Sequence, residues 1–174
     1  MKALSKLALL IAISFALGAC SSNQPEANAD QLNSGKDAPT FELADLEGNT
    51  HKLSDYEGQK VYLKFWASWC SICLAGMQEV DTLAAEETDF EVLTIVSTSV
   101  NAEKSSKSFA KWFEGLENTA NTKVLLDEGG AIFEEYGVIG YPTSVYIGTD
   151  GVLVKSSPGH FANEQIKESF ESIQ

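Results

Sequence analysis

A strand that runs straight into a helix carrying two thiols limits this chain more than any other feature. Lys60-Val-Tyr-Leu-Lys-Phe-Trp66 is rich in residues that favour extended backbone, and Cys70 and Cys73 follow within a few positions. From Cys70 to about Glu87, the residues Ile72, Met77, Val80, Leu83 and Ala84 recur at helical spacing. Three apart on one helix, the two sulfurs are near enough to close a small disulfide ring. Cys70 falls at the helix start, where free backbone N–H groups and the helix dipole favour a thiolate. Such positions lower a cysteine pKa from about 8.5 to roughly 3.5–7.5. Cys73, one turn further, is expected to be more buried and to wait as the resolving thiol. A thiolate so placed attacks a disulfide, a mixed disulfide forms, and the second thiol releases it.

Other uses of a C-x-x-C pair fit less well. A structural zinc site needs four ligands, and the chain has no second Cys pair, with His51 and His160 far off in sequence. A purely structural disulfide across so short a ring gains little loop entropy.

Around this unit, apolar strands alternate with amphipathic helices. Thr40–Leu43 and Thr50–Leu53 flank the turn residues Glu47-Gly48-Asn49 and predict a small hairpin. Phe90–Val96 reads as a strand covered on both faces, and Asn101 as the cap of a helix through Leu116. Lys123–Leu126 is a strand, and a helix runs from Asp127-Glu128-Gly129-Gly130 to about Tyr136. Thr143–Ile147 and Val152–Lys155 are strands joined by Gly148-Thr149-Asp150-Gly151, and a last helix covers about Asn163–Ile173. The order is that of one α/β domain with a central mixed sheet and helices on both faces.

The third cysteine stands apart. Lys2 and Lys6 precede an apolar run from Leu7 to Leu17, too short to span a bilayer, and Leu17-Gly18-Ala19-Cys20 closes it. Leu-Gly-Ala-Cys resembles the bacterial lipobox, so residues 1–19 are expected to be a signal peptide and Cys20 the lipidated first residue. Two or three acyl chains there make a durable anchor. Residues 20–36 read as the lipidated Cys and a polar, flexible tether, and residues 37–174 as the folded domain. The formal charge is −13, and all 12 basic residues are Lys. Loss of residues 1–19 removes two of those Lys and no acid, moving the charge from −13 to −15. A surface so acidic and without Arg is a poor partner for nucleic acid or anionic lipid headgroups.

Trp69-Cys70-Ser71-Ile72-Cys73 after an apolar strand, with Gly140-Tyr141-Pro142-Thr143 leading a later one, resembles the thioredoxin fold. Three further stretches make the likeness more specific. They are Pro39-x-Phe41-x-Leu43-x-Asp45-Leu46-x-Gly48, Leu53-Ser54-Asp55-Tyr56-x-Gly58 and Asp127-x-x-Gly130-x-x-x-x-x-Tyr136-x-Val138. With the extra helix they resemble the TlpA/ResA-like branch of membrane-anchored extracytoplasmic thioredoxins. Within that branch the chain is most similar to the streptococcal surface thioredoxin-like lipoproteins.

The resemblance implies a thioredoxin fold with an N-terminal β-hairpin and an inserted helix. It implies catalysis by Cys70 and Cys73, and a cis Tyr141–Pro142 bond facing them. It also implies a substrate-facing surface of Trp69, Ser71, Ile72, Tyr141, Pro142 and Thr143. The expected activity is a disulfide reductase of exported proteins, methionine sulfoxide reductase foremost, working as a monomer without a metal or diffusible cofactor. A CcdA/DsbD-like membrane protein would supply the electrons. The alternatives are an apocytochrome c reductase, a DsbA-like oxidase or a copper-binding assembly protein.

The chain departs from the branch at three positions. Where many thioredoxins keep a buried Asp six residues before the first Cys, it has Lys64; where ResA-like members often have Glu, it has Gly76; where a kinking Pro is common, it has Gln78. Both usual carboxylate bases are therefore absent. Lys64 has two readings: it snorkels to solvent, or it is a cation that modulates the Cys70 pKa. Glu79 is expected to be a solvated helix residue. His51 and His160 are expected at the surface, with copper ligation as the alternative for either.

Overall fold

The computed structural model describes residues 32–174. The signal peptide, Cys20 and most of the tether therefore lie outside the described residues. Eight strands form one sheet in the order β1-β8-β7-β4-β5-β6-β2-β3. They are β1 Lys36–Asp37, β2 Glu42–Asp45, β3 Thr50–Lys52, β4 Lys60–Trp66, β5 Phe90–Val96, β6 Val124–Leu126, β7 Thr143–Ile147 and β8 Val152–Pro158. The helices are α1 Ser71–Ala75, α2 Met77–Ala85, α3 Ser106–Phe113, α4 Ala131–Glu135 and α5 Asn163–Glu171, with a 3-10 turn at Leu53–Tyr56. β4, β5 and β6 run parallel, and β7, β8 and the hairpin strands pair antiparallel. This is the thioredoxin fold with the hairpin and inserted helix expected from the sequence. No helix among the described residues is long and apolar enough to cross a membrane.

Alternation along β4 divides the core. Val61, Leu63 and Phe65 point to one face and pack with Tyr136, Val138 and Tyr56, beneath α4 and the 3-10 turn. Tyr62 and Trp66 point to the other, where Tyr62 meets Val80, Leu83 and Phe170, and Trp66 meets Cys73, Met77 and Phe109. The fifth β4 residue, Lys64, lies between those two aromatics on the same face and is fully buried.

Most elements differ from the sequence reading by a few residues at their ends, and four of the differences have a plain physical reason. The helix after Cys70 is two, α1 and α2, interrupted at Gly76. Asn101 does not cap α3; it lies at a left-handed φ of 49°, and the Ser105 hydroxyl accepts the Ser108 N–H instead. β8 extends to Pro158 because its partner β7 runs its full length beside it. The end of the expected tether is docked. Asp150 accepts the backbone N–H groups of Leu32 and Asn33, Asn33 bonds Gln174, and Lys36–Asp37 adds an edge strand to β8.

Candidate active site

β4 ends at Trp66, and the chain turns through Ala67-Ser68-Trp69 to Cys70, which caps α1. The turn is held by a carboxylate. Glu103, with its side chain 1% exposed, accepts both the N–H and the hydroxyl of Ser68, the latter at 2.6 Å, and also the Lys104 N–H at 2.7 Å. The Lys104 ammonium bonds the same Ser68 hydroxyl and lies 4.7 Å over the Trp112 ring. Glu103 sits in a loop where Ser99, Asn101 and Ala102 all have positive φ, a costly conformation for residues with a Cβ. That strain is tolerated where the loop delivers a buried anion to the active-site turn.

Cys70 and Cys73 are joined by a disulfide, with Cα atoms 5.2 Å apart. Cys70 keeps 7% of its surface and Cys73 none. The exposed member is therefore the one a second disulfide can reach. The Cys73 N–H also reaches Cys70 Sγ at 3.2 Å, a bond that favours negative charge on that sulfur once the ring opens.

Tyr141–Pro142 is cis. Tyr141 packs into the apolar cluster of Cys70 and Cys73, and its ring meets Trp69 edge-on at 5.7 Å between centroids. The structure thus brings Trp69, Cys70 and Tyr141 together, with Pro142 next to Tyr141 across the cis bond. Trp69 (52% exposed) and Ile72 (59%) stand out beside the disulfide, and Ser71 is exposed between them. Thr143 differs: it is buried at the start of β7, and its hydroxyl is used on the Gly140 carbonyl at 2.8 Å. Ile139, two residues before Tyr141, is 93% exposed and was missed in the sequence. A lone Ile after Val138 gives no periodic signal to find it by.

Residues 33–171, which hold the disulfide, the capped helix and the cis-proline loop, match the Redoxin family. The chain belongs to the redoxin family. A ResA thiol–disulfide oxidoreductase of Bacillus cereus is 30% identical over 170 residues, covering 98% of this chain and 95% of its own. The crystal structure of the pneumococcal exposed lipoprotein thioredoxin Etrx1 of Streptococcus pneumoniae is 45% identical, with a TM-score of 0.74. It covers 78% of this chain and 100% of its own. StoA of Bacillus subtilis is 26% identical with a TM-score of 0.64, covering 75% and 96%. This redoxin is a thiol–disulfide oxidoreductase, and Cys70–Cys73 is its one disulfide among the described residues.

Between β4 and the α1–α2 junction lies a chain of three side chains that sequence reading did not assemble. Lys64 does not snorkel. Its Nζ donates to His160 Nδ1 at 3.1 Å, and His160 Nε2 donates to Glu79 Oε2 at 2.9 Å. Burial pushes the Lys64 ammonium down to about 8, against an upward pull from the Glu79 carboxylate. His160 is only part-exposed, held in the β8–α5 connection, and Glu79 is tied to it rather than simply solvated. His51 is likewise engaged, between Asp45 Oδ2 at 2.9 Å and the Tyr56 hydroxyl at 3.1 Å. The readable signal was Lys64 itself, a charge in the middle of a strand whose neighbours are all apolar.

Proposed function

We propose that this redoxin is a lipid-anchored, extracytoplasmic reductase of disulfides in exported proteins. The observation that carries the reading is the contrast between the two sulfurs, one at the surface among exposed apolar side chains and one sealed beneath it. That asymmetry suits a dithiol that attacks a protein disulfide and then resolves the mixed disulfide internally. The exposed apolar side chains Trp69 and Ile72 beside the disulfide suit an extended, partly apolar polypeptide segment rather than a small polar thiol. The lipobox-like Leu17-Gly18-Ala19-Cys20 and the likeness to a pneumococcal exposed lipoprotein thioredoxin support the location. Outside the cytoplasm there is no NADPH, so electrons reach Cys70–Cys73 through a membrane dithiol protein of the CcdA/DsbD type. The streptococcal resemblance makes an oxidised exported methionine sulfoxide reductase the leading substrate.

In the reductive cycle, Cys70 thiolate attacks one sulfur of the substrate disulfide and the other sulfur leaves as a thiolate. Cys73 then loses its proton and attacks Cys70 Sγ, expelling the second substrate sulfur. Two electrons pass to the substrate and Cys70–Cys73 is left oxidised.

The test is the equilibrium reduction potential of the pair in a soluble protein lacking residues 1–20. A value near thioredoxin's, about −270 to −230 mV, is expected, and one near DsbA's, about −120 mV, would reverse the direction. A Cys73→Ser variant should trap oxidised methionine sulfoxide reductase through Cys70. Failure to trap it would remove that substrate.

A further inference from the structure

We propose that Lys64, His160 and Glu79 form the proton relay that serves the buried resolving thiol Cys73. The inference rests on the dithiol chemistry of the site and adds the residues that make its second step possible. Cys73 has no exposed surface, so its proton has no direct way to water. Both positions at which the family resemblance leads one to expect a carboxylate base are occupied by other residues, Lys64 and Gly76.

The fold places the substitute on the right face. Trp66, which packs on Cys73, and Tyr62, which packs on Val80 of α2, bracket Lys64 along β4. Lys64 therefore points into the layer under α1 and α2. There it meets His160, whose ring lies against Gly76, one helical turn beyond Cys73. A Cβ added at residue 76 would collide with the imidazole Cε1, Nδ1 and Nε2 atoms. Gly76 is thus the space into which the histidine fits, and the same residue separates α1 from α2. Gly159, at a φ of 112° open mainly to glycine, turns the chain out of β8 toward that space, and its N–H donates to the Pro142 carbonyl at 2.8 Å. The histidine and the cis-proline loop are therefore positioned by one backbone contact. Glu79 is fixed in turn, its backbone carbonyl accepting from the Asn163 side chain at 2.9 Å.

The hydrogen-bond chain has a direction. An ammonium on Lys64 makes His160 Nδ1 the acceptor, which leaves the imidazole proton on Nε2 to be donated to Glu79. Passing one proton along the chain moves the Lys64 proton to Nδ1 and the Nε2 proton to the Glu79 carboxylate. That carboxylate, with 54% of its side chain exposed, hands it to water. Lys64 is left a neutral amine, which takes up the proton of the Cys73 thiol through a bridging water, since its hydrogen bond in the oxidised protein goes to His160 and not to the sulfur. The thiolate attacks Cys70 Sγ in the mixed disulfide, the Cys70–Cys73 bond forms, and the substrate sulfur leaves with the electron pair. The titratable groups in this layer are Cys73 from α1, Glu79 from α2, His160 from the β8–α5 connection, Tyr62 beside Lys64 on β4, Tyr146 of β7 against Tyr62, and Tyr141 beside the Cys73 cluster. The strand neighbours of Lys64, Thr94 and Ser144, are uncharged, and α3 and α5 turn Phe109, Phe113, Ile166 and Phe170 inward.

The experiment is a single turnover of the reduced protein with 5,5′-dithiobis(2-nitrobenzoate). Attack by Cys70 releases one thionitrobenzoate in a bimolecular phase, and resolution by Cys73 releases the second in a unimolecular phase. In Glu79→Gln and His160→Ala the second phase should slow by about 10²-fold near neutral pH, with the first phase changed by less than about twofold. Added imidazole should restore part of the rate in His160→Gly. His160→Gln keeps a side chain of similar size and covers the case in which alanine unfolds the connection. A second phase unchanged in any folded His160 variant, or two phases slowed equally, overturns the relay. A wild-type protein without the first phase would instead refute the dithiol chemistry itself.

Discussion

Replacing Lys64 with Met should make this protein more stable at neutral pH and no more stable in strong base. The lysine is fully buried, and burial lowers its ammonium from the ordinary 10.5 to about 8. That displacement corresponds to about 3 kcal/mol of stability sacrificed to keep the charge inside. Below pH 8 both folded and unfolded chains carry the proton, so the whole penalty is present. Between pH 8 and 10.5 the unfolded chain still holds the proton that the folded chain has released, so wild-type stability rises with pH. Above 10.5 both forms are neutral and the penalty is gone. Methionine has a similar length and no charge, and it leaves His160 Nδ1 to be solvated at its part-exposed edge, a loss of about 1 kcal/mol. The net expectation is a variant more stable by about 2 kcal/mol at pH 7, with the advantage gone at about pH 9.5 and wild type ahead by about 1 kcal/mol above pH 10.5. Urea unfolding of both oxidised proteins across that range measures it, because the tyrosines that titrate there are common to both and cancel in the difference. A wild type that is the more stable at pH 7, or a difference that stays flat with pH, would refute the reasoning. A group retained at such a penalty is retained for something other than stability.

Three further outcomes follow from the same geometry. Gly76→Ala should displace the His160 ring, destabilise the protein by about 1–3 kcal/mol on thermal or urea unfolding, and slow resolution by Cys73 without slowing attack by Cys70. Glu103→Gln keeps the shape but replaces an acceptor with a donor facing the Ser68 N–H or hydroxyl. A loss of about 2 kcal/mol is expected, and a melting temperature equal to wild type would show that the Ser68 turn does not need the anion. Trp69→Ala with Ile72→Ala should destabilise by about 1–2 kcal/mol, chiefly through the lost edge contact of Trp69 with Tyr141, since both side chains are more than half exposed. The same pair should slow reduction of a protein disulfide while sparing the small aryl disulfide, and equal slowing of both would deny these side chains a docking role.

What could be read from the sequence was what neighbours along the chain determine. β4, β5 and β7 occupy the ranges their apolar and β-branched runs indicate, because a strand buried on both faces writes itself as a continuous run. Cys70 at the helix start and Cys73 one turn on follow from a strand-to-helix junction and a spacing of three. The hairpin and the turn at Gly148–Gly151 follow from residues that favour reversed backbone.

The remainder was decided by residues that meet only after the sheet has formed. Lys64 and His160 are 96 positions apart, His160 and Glu79 81, and Ser68 and Glu103 35. No local periodicity links any of these pairs. Read alone, Lys64 is a long side chain free to snorkel, Glu79 a helix-surface acid and His160 a loop histidine. The pairing of β4 with β5 and β7 helps bury Lys64, and its amine ends on the His160 ring that lies against Gly76. A missing side chain at residue 76 is then worth as much to the site as any side chain present, because space in a packed layer is created by several elements at once and belongs to none of them.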